Sequence, residues 1–284
     1  MIIINIRTDL ITESCEMQTG DTKGAQTHER KIGEVTIKTV IIRTTEAAEA
    51  LGKPQGKYIT IEFDDMGEST RRKQLQQAII TALSELINKR SNILVVGLGN
   101  RDITPDAIGP LTVDRMLATR HIEKQLLDEL GFGEINSISA LTPGVLGKTG
   151  IEAVEIIKGT VERIKPQAVI VIDALAARHT ERLCKTVQFC NTGISPGSGV
   201  ENSRKEISST VLGVPVIAIG IPTVVDIRTL IYDLTENENI KEKSMMVTPT
   251  DIDFQVLRSA EILSLSLNLF LQPELDEKVI QSLV

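Results

Sequence analysis

Two carboxylates occupy positions where acids are costly. Asp173 follows Ala168-Val169-Ile170-Val171-Ile172, a run without another polar residue. A carboxylate buried at the end of such a run is unfavourable unless it is paired or used. Asp106 lies beyond a second apolar run, Ile93-Leu94-Val95-Val96, after Gly97-Leu98-Gly99-Asn100-Arg101-Asp102-Ile103-Thr104-Pro105. If the two runs are neighbouring strands, both acids lie past strand C-terminal ends, where open α/β sheets bind ligands. Two carboxylates in one cleft resist double ionisation and share a proton. One then activates a water while the other donates to the reacting group. The residues alone leave a second reading equally open, in which each aspartate caps a turn or a helix.

Competing chemistries fail on particular residues. Gly97-Leu98-Gly99 opens like a dinucleotide loop, but the third glycine of G-x-G-x-x-G would fall at Asp102, whose charge would repel a pyrophosphate. The glycines instead let the backbone approach something closely. Gly193-Ile194-Ser195-Pro196-Gly197 matches a nucleophile elbow letter by letter. Pro196 has no N–H for an oxyanion hole, and no histidine follows Ser195. His28, His121 and His179 show no zinc spacing. Cys184 lies in no recognisable catalytic motif.

These residues need a rigid frame. Strand and helix signals alternate from residue 70 to residue 271, which predicts a mostly parallel α/β sheet with helices on both faces. Expected core strands are 93–97, 135–140, 168–173, 185–189 and 215–220; expected helices are 151–164, 223–234 and 249–271. Residues 33–65 read as a small appended β element, with alternation at Val35, Ile37, Thr39 and Ile41. Residues 1–32 read as an extended arm, exposed and mobile over 12–31 or borrowed there by a neighbouring subunit, and 66–284 as the α/β core of a single domain. Glycine-rich stretches at 142–150, 192–199 and 220–223 read as loops near strand ends.

Composition excludes other classes. The 284 residues carry a formal net charge of -7, with 2% aromatic residues and no Trp. Neither a basic stripe nor a stacking platform for nucleic acid is expected. Three cysteines argue against a disulfide framework. No apolar run of membrane-spanning length exists, and Met1-Ile2-Ile3-Ile4 is too short for a signal h-region. The sequence is expected to be cytoplasmic, with no membrane partner.

The residues also carry a resemblance. Ile6-Arg7-Thr8-Asp9-Leu10, Gly97-Leu98-Gly99-Asn100, Thr104-Pro105-Asp106-Ala107-Ile108-Gly109-Pro110 and Thr142-Pro143-Gly144-Val145 through Gly150 occur in order. Val171-Ile172-Asp173-Ala174-Leu175-Ala176-Ala177-Arg178, Thr192 through Val200, Gly220-Ile221-Pro222-Thr223-Val224-Val225-Asp226 and Val247-Thr248-Pro249 follow. Together they resemble the germination protease, or spore protease, family of spore-forming bacteria, which is distantly similar to hydrogenase maturation endopeptidases. Glu201 departs from the glycine usual there.

The resemblance implies an endopeptidase that degrades small acid-soluble spore proteins during germination, in the forespore or spore core. It places the catalytic acids on Asp106 and Asp173, with no cofactor and no metal. It implies a zymogen and a homo-oligomer, a tetramer by family likeness. Asn100 and backbone N–H groups of the glycine loops would stabilise an oxyanion. Because family members cut next to glutamate, a cation is expected in the cleft, with Arg178, Lys148 and Arg204 as candidates. Thr8-Asp9-Leu10 matches that preference in type, so self-cleavage after Asp9 is expected. Two other readings remain: a metal-dependent maturation-type peptidase on the same fold, and a non-enzymatic sporulation protein.

Overall fold

The structure, a computed structural model, describes residues 8–18, 22–64, 69–123, 129, 134–197, 204–235 and 245–284. Ile6 and Arg7 of the resemblance, and its stretch 198–200 with Glu201, lie outside the described residues. In chain order the elements are α1 (Ile11–Glu16), β1 (Ala25–Ile32), β2 (Val35–Ile42), α2 (Thr45–Leu51), β3 (Gly56–Glu62), α3 (Ser69–Leu86) and β4 (Asn92–Gly97). After a 3-10 turn at Thr104–Asp106 come α4 (Ile108–Val113), β5 (Ser137–Leu141), α5 (Leu146–Thr149), α6 (Ala153–Ile164) and β6 (Ala168–Ala177). The chain continues through β7 (Thr186–Cys190), α7 (Ser209–Leu212), β8 (Val216–Asp226), α8 (Ile227–Thr235), β9 (Met246–Val247), α9 (Ile252–Leu271) and α10 (Glu277–Leu283).

One nine-stranded sheet runs β1-β2-β3-β7-β8-β6-β4-β5, with β9 on β8. It is α/β as expected, but mixed rather than mostly parallel. Among the described residues only β4–β5, β4–β6 and β6–β8 pair in parallel. The other pairs are antiparallel; β1 and β2 are joined only by Gly33-Glu34, too short a connection for a crossover. The β element expected within residues 33–65 is present as β2 and β3, and it continues the central sheet through the pairing of β3 with β7.

The parallel strands are apolar because both their faces are covered. Ile93 and Val95 join α3, α4 and α9 side chains in one core, whereas Leu94 and Val96 join α6 in another. Each fully buried aliphatic side chain contributes about 1.5–3 kcal/mol relative to exposure. This alternation fixes the strand register, since a one-residue slip would exchange the faces.

The expected arm is the main departure. Ile11–Glu16 is a helix, and Ile11, Thr12, Glu13 and Ser14 are buried. Its polar residues are buried because they are partnered. The Glu13 carboxylate accepts from the Arg178 N–H at 2.8 Å and the His179 N–H at 3.0 Å. Arg182 donates to Thr12 Oγ1 at 2.9 Å, to Glu62 at 2.6 Å and to Glu16 at 2.5 Å. Residues 26–31 do expose their side chains, but as an edge strand paired along its length with β2. Gly220-Ile221-Pro222-Thr223 is also not a loop. It lies inside β8, which displaces the start of the expected 223–234 helix to Ile227.

Candidate functional site

The Gly97-Leu98-Gly99 stretch turns the chain sharply at the tip of β4. Gly99 has φ +109°, and a Cβ there would lie 2.0 Å from the Asp106 carbonyl oxygen. A Cβ on Gly97 would lie 2.3 Å from the Gly109 carbonyl oxygen. The glycines do admit a close approach, and what approaches is the segment that carries Asp106. The Asn100 N–H donates to the Asp106 Oδ2 at 2.9 Å and to its carbonyl at 3.0 Å. Asp106 does not cap α4, whose N-cap position is Ala107 without a side-chain bond.

Thr223 fixes the same segment from the opposite strand. Pairing of β6 with β8 passes from Leu175↔Pro222 to Ala176↔Val224, so Thr223 is the extra residue of a bulge. Bulges re-aim side chains, and here the Thr223 hydroxyl donates to the Pro105 carbonyl at 2.7 Å.

Asp173 lies within β6 rather than at its end, so it caps no helix. It is 5% exposed, and its Oδ1 accepts from the Ala174 N–H at 2.9 Å. In the sheet register Asp173 pairs with Gly220, and Gly220 pairs with Gln188. The three form a row across β6, β8 and β7, and paired residues present their side chains on one face. Gly220 carries no side chain, and the Leu175 side chain lies over it: a Cβ there would fall 2.3 Å from Leu175 Cδ1.

The two carboxylates sense each other. Burial pushes Asp173 well above the ordinary carboxylate range, and the Asp106 charge adds to the rise. Asp9 raises it further, against the Ala174 N–H and Arg204. Asp106 is also raised by burial, but the Asn100 N–H and Arg204 oppose that. Protonation therefore favours Asp173, which leaves Asp106 the more readily ionised partner.

The cleft has two lobes. A smaller one of about 350 Å³ is lined by Asp106, Asp173, Arg204 and Thr223. A larger one of about 690 Å³ is lined by Asp173, Lys53, Tyr58, Gln188 and Cys190. Asp9 borders both.

Of the expected cations, Arg204 alone lines the cleft. Lys148 pairs with Asp102 outside it, which holds the Asp102 carboxyl below its usual range. The Arg178 main chain serves Glu13, and its residue borders neither lobe. Asn100 acts on Asp106 through its N–H, while its side chain accepts from the Asp102 N–H at 3.2 Å and lines neither lobe. Cys184 is buried and pushed up to about 12, which keeps it a thiol and disfavours a cysteine nucleophile. Among the described residues no group of three or more His, Cys, Asp or Glu is placed to hold a metal ion.

Sequence reasoning missed Lys53, Gln188, Thr223 and the position of Asp9. For Gln188 one signal existed, a lone amide inside the alternating run Thr186-Val187-Gln188-Phe189.

The chain is similar to known proteins. The sequence model of the germination protease family matches residues 5–237. The germination protease of Caldanaerobacter subterraneus subsp. tengcongensis is 42% identical over 326 aligned positions, which span 100% of this chain and 99% of the relative. That of Clostridium perfringens is 38% identical over 314 positions, 95% of this chain and 96% of the relative. The Bacillus subtilis germination protease is 45% identical over 245 positions, 81% of this chain and 66% of the relative. Among solved structures, the NiFe hydrogenase maturation protease HycI from Thermococcus kodakarensis covers 66% of this chain and 98% of its own, at 16% identity and a TM-score of 0.39.

Proposed function

The chain belongs to the germination protease family, and from that premise we propose an endopeptidase that uses Asp106 and Asp173 as an aspartic pair. Asp173 is the protonated partner, which polarises the scissile carbonyl or protonates the leaving amine. Asp106 is the ionised partner, which draws a proton from the attacking water. The observation that carries this reading is the position of both carboxylates in one lobe, with Asp106 raising the Asp173 pKa. The pair titrates as a unit.

By family likeness the substrates are small acid-soluble spore proteins, and the place of action is the forespore or spore core. A homo-oligomeric zymogen belongs to the same reading. Arg204, which lines the lobe of the pair, is the cation best placed to receive a substrate carboxylate there. Self-cleavage after Asp9 is supported by the position of Asp9 on the border of both lobes. Mass spectrometry of active protein decides it, and an intact start of the chain would refute it.

The test of the function is direct. Purified protein is incubated with a small acid-soluble spore protein, and fragments are followed with and without chelator. Discrete fragments that persist in chelator, and disappear in Asp173→Asn, are expected. Activity lost to chelator and restored by a divalent metal would favour the metal-dependent maturation-type mechanism. No fragments from the wild type would favour the non-enzymatic reading.

A further inference from the structure

Four main-chain groups of the segment Thr8–Ile11 are held by the walls of the cleft, three by Lys53 and Gln188 of the larger lobe and one by Ala176 of the smaller. The Thr8 carbonyl accepts from Lys53 Nζ at 2.9 Å. The Asp9 N–H donates to the Ala176 carbonyl at 2.9 Å, and the Asp9 carboxylate accepts from the Ala176 N–H at 2.9 Å. The Asp9 carbonyl accepts from Gln188 Nε2 at 2.9 Å, and the Ile11 N–H donates to Gln188 Oε1 at 2.6 Å. Lys53, Asp9, Gln188 and Asp173 all border the larger lobe.

Most of these bonds read backbone rather than side-chain identity. A carboxamide that donates to one carbonyl and accepts from an N–H two residues on is complementary to any extended peptide. Only one contact is selective. The Ala176 N–H meets a side-chain carboxylate at 2.9 Å, and Lys53 stands beside it: burial lowers the Lys53 pKa, and the Asp9 charge opposes that.

Helix anchoring explains part of this arrangement. Gln188 Oε1 holds the Ile11 N–H, the first of α1. It does not explain the Nε2 bond to the Asp9 carbonyl or the Lys53 bond to the Thr8 carbonyl, because both acceptors precede the helix. Nor does it explain why the donor shares a row of the sheet, and the lining of one lobe, with Asp173.

We infer that Lys53, Gln188 and the main chain of Ala176 form a seat for an extended peptide with an acidic residue at the position of Asp9, and that Thr8–Ile11 is the chain's own occupant of it. Substrates use the same seat once that segment leaves. Lys53 and Gln188 are then positioning residues that hold the carbonyls flanking the acidic residue. The inference deepens the peptidase reading and rests on it for the identity of the incoming peptide.

Two measurements on the full chain test it. The first needs no turnover. Hydrogen exchange at the Asp9 and Ile11 amides is followed with millimolar Arg-Thr-Asp-Leu-Ile-Thr, copied from residues 7–12, and with its Asn counterpart. The acidic peptide should displace the resident segment and speed exchange by about fivefold or more, and the Asn peptide should do so much less. Unchanged exchange overturns the seat, whether or not the chain hydrolyses anything.

The second reads KM against kcat on a peptide with an acidic residue before an apolar one. Lys53→Met and Gln188→Glu should each raise KM about tenfold, with kcat altered by less than about threefold. Lys53→Arg should recover most of the loss, and Gln188→Glu keeps an acceptor for Ile11 while losing the donor. KM unchanged in both variants would make these residues helix anchors only and overturn the proposal. A wild type that cleaves no peptide would refute the peptidase reading, while the exchange result still decides the seat.

Discussion

At the tip of β4 the chain leaves the sheet and folds back on itself, whereas β6 runs on past the same level. Gly97 pairs with Ile172, so Asp173 lies one residue beyond the last β4–β6 pair. Asp106 is held by a turn that works only with glycine at position 99, by one N–H from Asn100 and by a hydroxyl from a bulge. Asp173 is held by its strand, in a row fixed by pairing on both sides. The turn leaves Asp106 partly exposed and bonded, which opposes the rise that burial causes. The strand buries Asp173 and favours neutrality. One cleft thus obtains two unlike acids from two unlike supports.

The sharpest way to break this comparison is to neutralise each acid. Asp106→Asn and Asp173→Asn should each lower kcat/KM by about a thousandfold or more, and the double variant should be little worse than either. Peptide cleavage kinetics check this, and an active Asp173→Asn protein would dissolve the pair. The supports should differ next. Gly99→Ala drives a Cβ into the Asp106 carbonyl, so activity should fall about a hundredfold with the lobe misaligned. Ile172→Val beside Asp173 should cost about 0.5–1.5 kcal/mol of stability and leave activity within about twofold. Denaturant melts and kinetics on both variants separate the two effects.

Stability against pH sharpens the comparison further. The Asp173 pKa is raised on folding, so the native state binds its proton more tightly than the unfolded chain. Stability is therefore fully present below the unfolded value near 3.8 and falls as pH rises through the raised native value. Asp173→Asn removes that loss, so its melting temperature should exceed that of the wild type at neutral pH and converge on it in acid. Thermal melts across pH check it, and parallel curves would refute it. The smallest effect belongs to Asp102→Asn. Asp102 is exposed and pairs with Lys148, and both activity and melting temperature should be unchanged within error.

What was legible in the sequence follows from what acts locally. The buried strands, the glycine turn and the two acids declare themselves within short windows, because apolar runs and turn residues are local signals. The mixed sheet was not legible, since the pairing of β3 with β7 joins residues far apart in sequence. Polarity misread α1, because composition cannot show that Arg178, His179 and Arg182 wait to satisfy Glu13 and its neighbours. Lys53 and Gln188 are single residues that become a pair only when Thr8–Ile11 lies between them. A resemblance supplied the weight that Asp106 and Asp173 lacked, since a capping role was equally open until Ala107 took the N-cap position and β6 continued past Asp173.

The grip of Arg182 and the 178–179 amides on α1 has a kinetic meaning. While the bond between Asp9 and Leu10 is intact, the anchored helix tethers the acidic residue next to its seat, at an effective concentration of the order of millimolar. A diffusing peptide must outcompete that tethered copy. Were that one bond cut, the helix would stay where Glu13 fixes it, and the piece ending at Asp9 would become an ordinary solute. Dilution would then carry it off without any rearrangement of the body. Opening the cleft would become a matter of molecularity rather than of shape.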